Sequence, residues 1–329
     1  MSEAKIRVAV IGAGEHGSRH ARHYQAIPGA DLVGVYDVRA DRRELLAAEL
    51  GVKAFQSLDD VWQSAQAASL VIPTTDHAAV ARKAFARGID LLVEKPIART
   101  VEEAGELIRM AAERGRILQV GHVERFNPGA IAAKAITHGP LFFEVHRLGV
   151  FSPRSLDVDV VYDLMIHDLD LVLWLVGSPP REVRAVGLPV LSDKVDIANA
   201  RVEFESGAVA NFTASRVSTE KVRKFRYFQP NEYISIDFTR QDVLVVSVDR
   251  GEAIPQIGFR KLETHAREPL RAEIEAFLHS VRTRTPPLAG GEEGRQALAL
   301  AAQVMECIQS HAAKVNLHLT QPAGQSGES

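Results

Sequence analysis

The fold class this sequence predicts is α/β: a doubly wound parallel sheet, then a second α/β part built on a large, mostly antiparallel open sheet. Three observations carry that expectation. An apolar run, Val8 to Ile11, opens into Gly12, Gly14 and Gly17 in the spacing GxGxxG. Apolar runs then alternate with helix-length stretches as far as His122. Beyond Arg125 short runs with β character follow one another with few helices between them. Parallel neighbours need a crossover, usually helical, whereas antiparallel neighbours need only a turn.

Taken in order, Val8 to Ile11 reads as a strand buried on both faces. Gly12 suits a tight turn, Gly14 close approach of a pyrophosphate to bare backbone, and Gly17 close packing of helix on strand. Ser18 to Ile27 predicts a helix whose start offers N–H groups and a positive dipole end to an anion. Asp31 to Tyr36 is the second strand, ending at Asp37, where an acidic residue suits the ribose hydroxyls of NAD. Helices over 39–50, 58–64, 78–87 and 101–114 then alternate with strands over 54–55, 69–72, 91–93 and 117–122. Ligands in such sheets sit beyond the carboxyl ends of the strands. Those ends carry Gly12, Asp37, Pro73-Thr74-Thr75-Asp76-His77, Glu94-Lys95-Pro96 and His122.

In the second part, 127–138 and 162–176 read as helices and 142–150 as a strand. Runs over 183–188, 196–204, 208–216, 225–228, 233–238 and 242–248 predict the antiparallel sheet. Pro269 to Thr283 and Glu292 to His311 close the chain as helices, and 321–329 reads as a fraying tail. Cys307 falls within the last helical pattern, as core.

Bulk properties narrow the function classes. The chain has 329 residues, enough for two domains, with 46% hydrophobic and 25% charged residues. A net charge of −3 gives no reason to expect nucleic acid or an anionic membrane. One cysteine excludes an intrachain disulfide and a cysteine-based zinc site. No apolar stretch reaches the length of a membrane span, and no signal-peptide pattern precedes the first strand, so a cytoplasmic location is the expectation.

Three places could carry chemistry. Lys95, at the mouth of the predicted sheet, can reach a substrate hydroxyl or a ribose, or stand as a solvated strand-end lysine. Asp163 and His167 stand four apart on one helical face. A histidine of ordinary pKa suits proton transfer near neutrality, and the aspartate could orient it, but the two also suit a solvated pair at a helix start. His167, Asp168 and Asp170 match no metal motif, so no metal is expected. A basic stretch, Arg216, Lys221, Arg223, Lys224 and Arg226, is interleaved with Phe225, Tyr227 and Phe228. It suits a diphosphate and a base, or a strand with one solvated face.

Together GxGxxG with His20 after it, the strand-end Pro73 to His77, Glu94-Lys95-Pro96 and Asp163-x-x-x-His167 resemble the Gfo/Idh/MocA family of NAD(P)-dependent sugar and inositol oxidoreductases. The resemblance implies a Rossmann domain over 1–123, a substrate-binding and oligomerisation domain over 124–320, and a homodimer or homotetramer. It makes Lys95, Asp163 and His167 the catalytic set. Cofactor contacts fall on Gly12, Gly14, Glu15, His16, Gly17, Asp37, Val38, Arg39, Pro73, Thr74, Thr75, His77, Glu94, Lys95 and His122. Asp37 favours NAD over NADP, although Arg39 could accommodate a 2′-phosphate. The chain departs from many members in lacking glycines just before Asp163. The stretch from Gly121 to Pro128 and the one from Ser215 to Arg226 resemble the branch that oxidises nucleotide sugars. That branch includes 3-dehydrogenases of UDP-N-acetylglucosamine or its uronic acid, acting ahead of an aminotransferase. It would place substrate against Lys95, Glu124, Arg125, Phe126, Asn127, Asp163, His167 and Arg216. A free sugar or inositol dehydrogenase, or a non-catalytic NAD(P)-binding sensor, shares the same fold.

Overall fold

Hydrophobic alternation and glycine turns resolve into two sheets in the computed structural model, which describes residues 4–151, 158–249, 255–317 and 319. The expected tail over 321–329 lies outside the described residues. In chain order the elements are β1 (Ile6–Ile11), α1 (Glu15–Ala26), β2 (Ala30–Tyr36), α2 (Ala40–Leu50), β3 (Lys53–Ala54), α3 (Leu58–Ser64), β4 (Ala67–Leu70), α4 (Thr74–Ala86), β5 (Asp90–Val93), α5 (Val101–Glu113) and β6 (Leu118–Val120). Then come α6 (Pro128–Ile136), β7 (Phe142–Val150), a π-helical turn (Val161–Met165), α7 (Ile166–Val176), β8 (Pro180–Leu188), β9 (Ile197–Phe204), β10 (Val209–Ser218), β11 (Val222–Gln229), β12 (Glu232–Asp237), β13 (Asp242–Asp249), β14 (Gln256–Lys261), α8 (Pro269–Thr283) and α9 (Gly291–Lys314).

The first sheet is parallel, with order β3-β2-β1-β4-β5-β6. Its order reverses between β1 and β4, the crevice where such sheets take ligands. The four β4 residues and the four β5 residues are all buried, as strands covered on both faces must be. The second sheet has order β14-β13-β12-β11-β7-β10-β9-β8. Its pairs are antiparallel except β7 with β10, which run parallel.

The chain divides into two units, Met1–Asn127 with Arg267–Leu298, and Pro128–Ala266 with Ala299 onward. This corrects the expectation of one boundary near residue 123. Helix α8, expected in the second domain, belongs to the first: Ile274, Phe277, Leu278 and Val281 share a core with Val8, Tyr24 and Leu32. Helix starts also moved. Helix α1 begins at Glu15, directly behind Gly14, and α4 at Thr74, directly behind Pro73. Strand β4 ends at Leu70, two residues short of the expected end. Strand β14 was not expected; its pairing with β13, more than burial, defines it, since all six residues are exposed. Cys307 on α9 is half-buried, its thiol donating to the Val183 carbonyl, and is not core. Among the described residues no helix is long and apolar enough to cross a membrane.

Candidate active site

The first unit gathers its polar strand ends on one edge, because β2, β1, β4, β5 and β6 are parallel neighbours. Gly12 has φ of 103°, and a Cβ there would lie 2.0 Å from the Val71 carbonyl oxygen. A Cβ at Gly17 would lie 1.8 Å from the Gly12 oxygen. Both glycines are therefore demanded by the turn itself. Gly14 differs: nothing lies within 4 Å of a Cβ built there, so its backbone borders open space. Helix α1 starts at that point with no side-chain cap, leaving first-turn N–H groups for an anion. Glu15 and the half-exposed His16 follow on the first turn.

Asp37 closes β2. Its Oδ2 accepts from Ala13 N at 2.7 Å and its Oδ1 from Arg39 N at 2.8 Å, which fixes the carboxylate and leaves a lone pair on each oxygen for hydroxyl donors. Val38 beside it is 83% exposed, an apolar surface at the place where an adenine would lie. The Arg39 guanidinium is turned to Asp41, at 2.6 and 3.2 Å. Open backbone at Gly14, an uncapped helix start and an oriented Asp37 together fit a dinucleotide.

Pro73, Thr74 and Thr75 stand at the start of α4, partly or fully exposed. His77 is different. It is fully buried, with Nδ1 2.9 Å from the Pro96 carbonyl and Nε2 2.9 Å from the Ile72 carbonyl, and burial lowers its pKa. Both nitrogens are engaged within the protein, so His77 ties Pro96, after Lys95, to Ile72, just beyond β4. Glu94 accepts from His16 and His20, and Lys95 is half-buried beside it. A Cβ at Gly121 would lie 2.8 Å from the Glu94 carboxylate and would push it aside. His122 is buried at the end of β6.

Glu124, Arg125, Phe126 and Asn127 form a buried turn. Phe126 packs with Ala272 and Ala289, and Arg125 donates to the Leu288 carbonyl at 3.0 Å. Phe126 is buried in this small core.

The second unit carries Asp163 on the π-helical turn and His167 on the first turn of α7, both half-buried. Turns of this wide kind recur at functional sites. This one is anchored from several sides. Asp159 O accepts from Tyr162 N and Asp163 N, and Asp159 Oδ1 accepts from Val195 N at 2.9 Å. Arg147 on β7 grips Asp168 with two parallel bonds, of 2.9 and 2.7 Å, both side chains nearly buried. That pair fixes the first turn of α7 and hence the backbone of His167. A lone arginine on a strand gave no sequence signal for it.

Arg216 is held inside the protein. Its guanidinium is buried; it donates to the Val158 and Val195 carbonyls and lies 3.5 Å from Asp196. It pins the entry to the π-helical turn. Of its neighbours, Phe225 and Tyr227 point into the core, Arg226 pairs with Glu144 at 3.1 Å, and Lys221, Arg223 and Lys224 are exposed. On β11, Lys224 and Arg226 take the face opposite Phe225 and Tyr227, while Arg223 shares the face of Phe225 and is exposed.

Residues 6–122 match the oxidoreductase family with an NAD-binding Rossmann fold, and residues 146–231 match the GFO/IDH/MocA C-terminal domain. The chain is 41% identical over 308 residues to a UDP-N-acetylglucosamine 3-dehydrogenase of Acidithiobacillus ferrooxidans, covering 93% of this chain and 98% of that protein. A solved structure of that organism's UDP-N-acetylglucosamine 3-dehydrogenase GnnA superposes with a TM-score of 0.88 at 40% identity, covering 94% of this chain and 99% of that one. A scyllo-inositol 2-dehydrogenase of Bacillus subtilis is 32% identical over 237 residues, covering 66% of this chain and 69% of that protein.

Proposed function

This chain belongs to the Gfo/Idh/MocA family of NAD-binding oxidoreductases, and from that membership we propose that it oxidises the 3-hydroxyl of UDP-N-acetylglucosamine to a ketone, with NAD as acceptor. The observation that carries this reading is the 41% identity, over nearly its whole length, to a dehydrogenase of that name. The bound dinucleotide would supply the electron acceptor at its nicotinamide. The chain supplies the rest. His167 takes the hydroxyl proton as the carbon beneath it is oxidised. Lys95 donates a hydrogen bond to the same oxygen and stabilises charge as it develops. Asp163 orients the sugar ring from the turn before His167.

The Asp37 carboxylate supports NAD over NADP, because it would accept from the ribose hydroxyls and repel a 2′-phosphate. Exposed Ile257, Phe259 and Leu244 on the outer strands support a homodimer or homotetramer, which light scattering on the eluted protein would read directly. An aminotransferase that consumes the ketone is the downstream partner we propose.

Turnover of NAD by the purified protein, with a glutamate-dependent aminotransferase present to consume the ketone, tests the proposal. NADH formation with UDP-N-acetylglucosamine is the expected result. His167→Ala should lower the rate by about 10²–10⁴-fold, with binding of reduced cofactor unchanged. Turnover of myo-inositol but of no UDP-sugar would replace the substrate and keep the three residues. Tight cofactor binding with no turnover on either substrate would leave the sensor reading.

A further inference from the structure

Glu94 meets two histidines of α1. His16 Nε2 stands 2.9 Å and His20 Nε2 3.2 Å from Glu94 Oε1, and the two Nε2 atoms are 3.4 Å apart. The histidines are four residues apart and so share a helical face. All three ligand atoms lie within 4.8 Å of one another. A tetrahedral zinc ion with bonds of about 2.0–2.1 Å sets its donors about 3.3 Å apart. The three atoms already form a triangle of that size. We propose that His16, His20 and Glu94 form a binding site for a zinc-class divalent cation.

The surroundings favour that use. His20 Nδ1 is 3.1 Å from Ser69 Oγ, which is 2.8 Å from the Tyr24 hydroxyl. An outer hydrogen bond of this kind fixes a ligating imidazole and directs its other nitrogen to the metal. On the Glu94 side, Lys95 N donates to Oε2 at 3.2 Å, leaving Oε1 for the triangle. Burial pushes His20 below the usual histidine range. Burial acts the other way on Glu94, but the hydrogen bonds from His16 and His20 hold its carboxyl well below the usual carboxylate range.

Access and selectivity follow from the same residues. The His20 side chain is fully buried, the Glu94 side chain 13% exposed and the His16 side chain 43% exposed, so an ion enters past His16 and keeps its fourth position toward water. Two imidazoles select zinc, copper or nickel over magnesium and calcium. His16 lies two residues beyond Gly14 on the first turn of α1. If the pyrophosphate sits on that turn, as the proposed function holds, the cation and the dinucleotide compete; this consequence alone rests on that reading.

Titration of the tag-free protein with zinc against a chromogenic chelator tests the site. One zinc per chain is expected, with affinity lowered at least tenfold by His16→Ala, a position exposed enough to spare the fold, as circular dichroism would check. Magnesium should give no binding. Wild type and His16→Ala binding zinc alike, or magnesium binding as well as zinc, would overturn the proposal. A second titration follows the fluorescence of reduced dinucleotide. Zinc should weaken its binding to wild type and not to His16→Ala. Zinc binding that depends on His16 but leaves the dinucleotide indifferent would uphold the cation site and overturn the competition.

Discussion

The glycine turn of the first unit and the basic strand of the second make an instructive pair. Both suggested a phosphate partner from sequence. At the turn, Gly12 and Gly17 answer a backbone demand, with carbonyls where a Cβ would stand, while Gly14 borders open space. On β11, side chains alternate, so Phe225 and Tyr227 go to the core while Lys224 goes to solvent. Arg216, just before it in sequence, is buried against the Val158 and Val195 carbonyls. A motif enforced by backbone sterics carries its meaning in the residue letters. A run of charged and aromatic letters does not, because a strand sends alternate residues to opposite environments.

The sharpest way to break this comparison is Arg216→Ala. Removing a buried guanidinium that pairs with Asp196 should cost about 3–5 kcal/mol of stability. A large rise in KM at unchanged melting temperature would return Arg216 to the substrate site. Next comes Gly12→Ala, which must force a side chain into a positive-φ turn against Val71; it should cost about 2–3 kcal/mol. Gly14→Ala, by contrast, should weaken dinucleotide binding and leave the melting temperature unchanged. Equal thermal losses in the two variants would mean that Gly14 serves the turn and not a ligand.

Asp196 sharpens the same contrast through pH. Burial raises its pKa, but bonds from Leu191 N, Val190 N and Ser192 outweigh this and hold the carboxyl below the usual value. Its stabilisation is therefore present above the unfolded pKa and lost as pH falls through the lower folded one. Asp196→Asn should cost about 1–3 kcal/mol at neutral pH. The gap to wild type should narrow below about pH 4 in thermal scans. A gap that stays constant with pH would show that the charge contributes nothing there. The smallest effect is expected for Lys224→Ala, within about 0.5 kcal/mol in stability and with KM unchanged. A raised KM would make the solvated face a ligand surface after all.

The sequence by itself determined the parallel sheet, the glycine turn, Asp37 at the end of β2 and the family, because strand burial and glycine geometry are local constraints. Helix α3 and strand β7 fall where periodicity places them. Asp163 and His167 were legible as a pair through their spacing. Only tertiary structure decided the rest. Helix α8 joins the first unit because its apolar face fits the core around Tyr24 and Val8, which no local pattern specifies. His77, Phe126 and Arg216 became interior fastenings because contacts distant in sequence reached them first. The Arg147–Asp168 clamp and the His16–His20–Glu94 triangle join residues 21 and as many as 78 positions apart. Such pairings depend on where the strands end and how the helices pack, and a linear reading holds no distance between them.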